Sequence, residues 1–184
     1  MVYIGIDSSL SCTAVGIISR DGAGNPKLLS FLKIPTAPDM DYIERCEEIT
    51  DKIGELLKPY IERSKKIKTQ LQIGIEMPNS FRGGDVTRKL CGLYGIILYY
   101  IHNELGVRPI EINTKHAKKV ATGSGNADKQ RTIFNINKIF GLTLEYSATK
   151  NKSDDDVADA LSIAYCLLIE DGKRKTIKKK RRHG

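Results

Sequence analysis

The strongest constraint on the fold lies in the first 34 residues. Three β-rich runs, Val2–Ile6 (VYIGI), Thr13–Ser19 (TAVGIIS) and Leu28–Ile34, follow one another, separated only by the turn SSLSC and the turn-dense Asp21–Lys27. This spacing predicts an antiparallel meander with Asp7 at the end of its first strand. The pattern then changes. Asp41–Lys66 carries Ile43, Cys46, Ile49, Ile53, Leu56, Leu57 and Ile61 at helical steps, with a kink or break expected at Pro59. Gln70–Ile75 reads as a strand that ends at Glu76, is closed by Pro78 and is followed by the polar loop Asn79–Asp85. Val86–Leu105 is a long helix whose apolar band is wider than one face needs, so it is either fully buried, the default reading, or shared with a partner chain. Arg108–Ile112 adds a strand and Lys115–Val120 a short basic helix. The loop ATGSGN then leads into a helix over Ala127–Phe140, with Asn126 as its expected N-cap. This order predicts an α/β fold, a mixed five-stranded sheet of a meander extended by parallel crossovers and flanked by helices.

A chain of 184 residues fits one domain with a sizeable core. Its apolar runs are too short and interrupted to cross a bilayer, and no basic start or cleavage site marks a leader, so an intracellular, cytoplasmic protein without membrane contact is expected. Cys12, Cys46, Cys91 and Cys166 are scattered without a CxxC pair, which suggests reduced thiols rather than zinc ligands or disulfides. The net charge of +8 has one source. Lys173, Arg174, Lys175, Lys178, Lys179, Lys180, Arg181 and Arg182 stand together without an acid, so residues 1–172 carry equal numbers of acids and bases. The expected organisation is a domain over 1–172 and a disordered basic tail over 173–184, in the form of a phosphate-binding arm or a solubilising end.

The chemistry centres on Ser153–Tyr165, SDDDVADALSIAY. Val157, Ala160, Leu161, Ala164 and Leu168 mark a packed helix, and Asp154, Asp155, Asp156 and Asp159 open it. Ser153 and Asp156 have the spacing of a capping box, and acids in a first turn complement the helix dipole. Capping does not account for Asp159, which interrupts an apolar run where a charge needs a partner or a metal. From this segment alone, capping and metal binding both stay open. Asp7 and Glu76 stand at carboxyl ends of strands that can be neighbours, where open α/β folds place ligands. Together with Asp156 and Asp159 they form a hard, all-oxygen set suited to Mg²⁺ or Mn²⁺, with Asp155 as an alternative ligand. Two such ions about 4 Å apart can drive phosphodiester hydrolysis. Lys118, Lys119, Lys129 and Arg131 surround a glycine loop at a helix start, an arrangement that favours phosphate contact.

The segments IGIDSSLSCTAVGII, IEMP, KKVATGSGNADK and DDDVADALSIAY stand in the order found in the RuvC-type Holliday-junction resolvases of the ribonuclease H-like superfamily, and the chain resembles that family over about residues 2–170. The resemblance implies a ribonuclease H-like fold and a homodimeric, metal-dependent endonuclease that nicks opposing strands of a four-way DNA junction. By position, Asp7, Glu76, Asp156 and Asp159 match the family's catalytic carboxylates, which implies two Mg²⁺ or Mn²⁺ ions per site. Lys118 and Lys129 match basic residues that contact DNA or support catalysis, and Lys129 joins the expected catalytic set. Lys119, Arg131, Phe81, Arg82, Lys178, Lys179, Lys180, Arg181 and Arg182 complete the expected DNA contacts. The resemblance also favours Val86–Leu105 as the dimer contact. The chain departs from the usual bacterial pattern in two places, with Asp7-Ser8-Ser9 for Asp-Pro-Gly and with Asn79, then Phe81, where a junction-probing aromatic follows the Glu. These departures fit a divergent, phage or mobile-element-like member.

Three rivals remain at this level. A broader branched-DNA or flap nuclease shares the chemistry. A sugar-kinase or actin-like fold also runs from a strand-terminal Asp through Ser and Gly, but it duplicates the domain, and no second acidic phosphate loop occurs here. A non-catalytic DNA-binding module leaves Asp7, Glu76 and Asp159 unexplained.

Overall fold

The computed structural model describes residues 1–78, 84–148 and 153–182, with side chains as far as Lys173. Strands β1 (Val2–Asp7), β2 (Cys12–Arg20) and β3 (Pro26–Pro35) form the expected meander. Strands β4 (Leu71–Glu76) and β5 (Ile110–Ile112) join parallel to β1, giving the order β3-β2-β1-β4-β5. The first strand in sequence is thus the middle strand of the sheet.

Helices α1 (Tyr42–Lys66) and α2 (Asp85–Asn103) cover one face, where Ile49, Ile53, Leu57, Leu93, Ile97 and Ile101 close over Ile4, Ile6, Val15, Ile17, Ile73 and Ile75. Each fully buried aliphatic side chain contributes roughly 1.5–3 kcal/mol. A capping box starts α1: Asp41 accepts from the Ile43 and Glu44 N–H groups at 2.7 and 2.9 Å, and Glu44 accepts from the Asp41 N–H at 2.7 Å. Helices α3 (Thr114–Thr122), α4 (Lys129–Phe140) and α5 (Asp155–Arg182) pack on the other face.

The approach of α5 to the sheet has a specific cause. Register places Gly5 between Gly16 and Gly74, so three glycines form a row across β2, β1 and β4. A Cβ at Gly5 would lie 2.0 Å from the Ala160 carbonyl oxygen, and one at Gly16 would lie 2.7 Å from a Leu161 methyl. Only glycine lets the helix rest on the strand backbone. Further along, Arg20 donates to the Leu168 carbonyl at 2.7 Å, and the Tyr3 hydroxyl donates to Asp171 at 2.9 Å.

Several local expectations change. Helix α1 passes through Pro59 unbroken. Asp128, not Asn126, caps α4, because its carboxylate reaches the Arg131 N–H at 2.8 Å, so Lys129 is the first helical residue. The Ser153–Asp156 capping box is out of register. The Asp154 carbonyl accepts the Ala158 N–H and α5 begins at Asp155, which leaves Ser153 one residue ahead of the cap. The backbone of α5 continues to Arg182, so the basic segment is helical where a disordered tail was expected. Finally, α2 is not fully buried. Leu93, Ile97 and Ile101 are covered, but Val86 and Tyr99 are 80% and 66% exposed, because α2 meets the core along one stripe only.

Candidate active site

The parallel β1–β4 ladder pairs Ile6 with Ile75, so Asp7 and Glu76 leave the two strands side by side at their carboxyl ends. Burial, the hydrogen bond and charge of Glu76, and then the charges of Asp159 and Asp156, push the Asp7 carboxyl well above the usual carboxylate range. Helix α5, resting on the glycine row, brings Asp156 and Asp159 to the same edge. Burial is the main cause that pushes Asp159 up to about 6, with Glu76 adding to it and Lys118 opposing it. Asp156 is raised mainly by burial as well. Beside it, burial and the Asp156 charge push the Cys12 thiol up to about 12, so this cysteine is a neutral neighbour and not a nucleophile.

Two lysines reach in from the helices on this face. Lys118 of α3 lies 3.3 Å from Asp159. Lys129, at the start of α4, pairs with Asp155, and that bond raises the lysine further and keeps it a cation. Burial, the largest single influence, would lift Asp155, but the bond and charge of Lys129 together with the other hydrogen bonds to its carboxylate outweigh it and leave the group below its ordinary range. The structure therefore separates the acids. Asp156 and Asp159 approach Asp7 and Glu76, whereas the buried Asp155 is engaged by Lys129.

Among the described residues no three ligand-type side chains converge closely enough to hold an ion as they stand. Asp7 pairs with Glu76, Asp159 with Lys118 and Asp155 with Lys129, so their oxygens are turned to these partners and not to one point. The donor set still fits a hard cation. It is all oxygen, and Asp7 and Asp159 are raised by burial and by neighbouring carboxylates, a strain that a divalent ion would relieve.

The other expected DNA contacts divide. Lys119 is exposed on α3. Arg131 is exposed on α4 but also donates to the Thr122 carbonyl at 3.2 Å, which ties α4 to the end of α3. Phe81 and Arg82 lie outside the described residues. Lys178, Lys179, Lys180, Arg181 and Arg182 fall in the last turns of α5, and their side chains are outside the described residues too.

Two residues that sequence reasoning missed support this edge. The Thr114 hydroxyl donates to Glu76 Oε1. Lys33 of β3 donates to the Ser153 carbonyl at 2.6 Å and lies 3.4 Å from Asp154. Asp154 itself binds the Glu145 backbone through both its N–H, at 2.9 Å, and its carboxylate, at 3.1 Å. The start of α5 is thereby clasped between β3 and the segment before it. The one sequence signal for Lys33 was a charge on the inward face of an edge strand. Thr114 had none.

A mixed sheet whose central parallel pair ends in carboxylates, met by acids from a helix lying across it, has the ribonuclease H-like architecture. The family model for "Crossover junction endodeoxyribonuclease RuvC" matches residues 3–167. A protein of that name from Carboxydothermus hydrogenoformans is 30% identical over 183 residues, covering 94% of this chain and 98% of its own. Another, from Chlorobium phaeovibrioides, is 28% identical over 172 residues, covering 94% and 83%. The chain belongs to this family and is an endodeoxyribonuclease of the junction-resolving class. Among solved structures, Thermus thermophilus RuvC matches with a TM-score of 0.68 at 22% identity, over 94% of this chain and 97% of that one. The yeast mitochondrial Holliday junction resolvase matches with a TM-score of 0.62 at 13% identity, over 98% and 84%. Both show the shared fold.

Proposed function

We propose that this protein resolves four-way DNA junctions as a homodimer, with Asp7, Glu76, Asp156 and Asp159 holding two divalent cations, Mg²⁺ or Mn²⁺, in each active site. The observation that carries this reading is the nearness of Glu76, Asp156 and Asp159 to Asp7 at the carboxyl ends of β1 and β4, with Lys118 and Lys129 beside them. When bound, such ions supply Lewis-acid stabilisation of phosphate charge and make water nucleophilic near neutral pH. The chain's own groups do the rest. The carboxylates are half-buried, so their charges act at a lower dielectric than in bulk water. Lys129 stays protonated and serves as a fixed cation for the charge that develops on the phosphate. Lys118, Lys119 and Arg131 hold the DNA backbone beside the cut, and Phe81, Arg82, Lys178, Lys179, Lys180, Arg181 and Arg182 extend the contact. The half-covered face of α2, from Val86 to Tyr99, pairs with a second copy and sets two sites on opposing strands.

The test compares cleavage of four-way, three-way, flap and linear duplex DNA with Mg²⁺ or Mn²⁺. Wild-type protein should cut the four-way junction by paired symmetric nicks, and Asp7→Asn should lose at least about a thousandfold in rate while retaining junction binding. Equal cutting of flaps and three-way junctions would replace resolution with a broader branch-nuclease activity, and unchanged cutting by Asp7→Asn would remove the carboxylate assignment.

A further inference from the structure

Glu76 is held by a neutral group. Helix α3 begins at Thr114, immediately after its N-cap Asn113, whose side chain accepts from the His116 N–H at 3.3 Å. The Thr114 hydroxyl donates to Glu76 Oε1 across a separation of 38 residues. One helical turn later, Lys118 lies 3.3 Å from Asp159. Residues four apart share a helix face, so a single face of α3 touches two carboxylates that come from different elements, β4 and α5. A hydroxyl donor fixes the plane of the carboxylate that accepts from it.

We propose that Thr114 is a positioning residue: its hydroxyl orients Glu76 for the divalent cation, and α3 thereby sets Glu76 and Asp159 as one unit. This rests on the metal-binding reading above. Its role is exerted through Glu76, whose Oε1 accepts from its hydroxyl. The hydroxyl, not the methyl group, carries the effect, so serine should serve and valine, which has the same shape, should not.

The experiment measures Mn²⁺ binding to the full chain by calorimetry, together with the Mn²⁺ concentration that half-saturates cleavage of a four-way junction. Thr114→Val should weaken Mn²⁺ binding by about tenfold and raise the half-saturating concentration in proportion, while Thr114→Ser stays within about threefold of wild type. Circular dichroism checks folding, and if valine disturbs it, Thr114→Ala against Thr114→Ser makes the same comparison. Wild-type Mn²⁺ affinity in Thr114→Val, or equal loss in the serine variant, overturns the proposal. Glu76→Gln separates the two levels. If it binds Mn²⁺ as wild type does, or if wild type binds none, the metal-site reading falls and takes this inference with it. If it loses Mn²⁺ while Thr114→Val does not, only the role of Thr114 falls.

Discussion

Asp159 occupies a position that its own helix cannot satisfy, because Val157, Ala158, Ala160 and Leu161 around it are all fully buried. Its relief comes from Lys118, which only partly offsets burial and leaves the carboxyl titrating at about 6. This has a consequence for stability with a definite sign. In the folded chain the group keeps its proton up to about pH 6, whereas an ordinary carboxyl near 3.8 has lost it. The folded state therefore binds more protons in that window, and its stability falls as pH rises through it. Thermal unfolding in chelator should show this decline, Asp159→Asn should flatten it, and added Mg²⁺ or Mn²⁺ should counter it. A slope that is the same in wild type and Asp159→Asn would place the burial penalty elsewhere. Asp159 was legible in the sequence because a charge inside an apolar run is costly wherever the helix packs. Thr114 and Lys33 were not. Their contacts span 38 and 120 residues and depend on where two elements end in space.

Among the elements, α5 and the glycine row beneath it form one device. Gly5 has no room for a methyl group, and the atoms it would meet, Ala160 O at 2.0 Å and Ala164 N at 2.6 Å, belong to helix backbone that cannot rotate aside. Gly5→Ala should therefore cost about 3 kcal/mol in chemical denaturation. It should also reduce cleavage at temperatures where the variant remains folded, because lifting α5 carries Asp156 and Asp159 away from Asp7. Normal activity in a folded Gly5→Ala chain would mean that the acids tolerate that shift. The strands, the long helices and the placement of Asp7 and Glu76 at strand ends follow from local periodicity and turn residues, and the structure keeps them. Cap positions were harder to read. Asn126 and Asp128 are both good N-caps two residues apart, and the choice falls to the one whose carboxylate reaches the Arg131 N–H. At Ser153 the local motif was present but α5 starts later, because Asp154 is drawn to Lys33 and the Glu145 backbone.

For the molecule as a whole, α2 presents the surface that its own chain leaves open. Tyr99 is 66% exposed and Val86 80% exposed, while Leu90, Tyr94 and Leu98 are half-covered. An apolar face of this kind on an enzyme that must cut two strands in concert suits a second copy, and symmetry then sets the two sites in fixed relation. Tyr99→Glu, at a position already open to solvent, should leave the monomer folded and shift light-scattering mass from dimer to monomer. On a cruciform plasmid it should convert linear product, which requires both nicks in one encounter, into nicked circles. An unchanged mass would move the contact off this face. The placement of α5 over β1 also governs when the enzyme comes into being. Asp7 and Glu76 are in place early in synthesis, but Asp156 and Asp159 arrive with the last helix, which must come back to the middle of the sheet. A nascent chain that has not yet reached α5 holds only half of the acids proposed to bind the ions. On the proposed assignment, the ability to cut DNA therefore waits on the docking of α5.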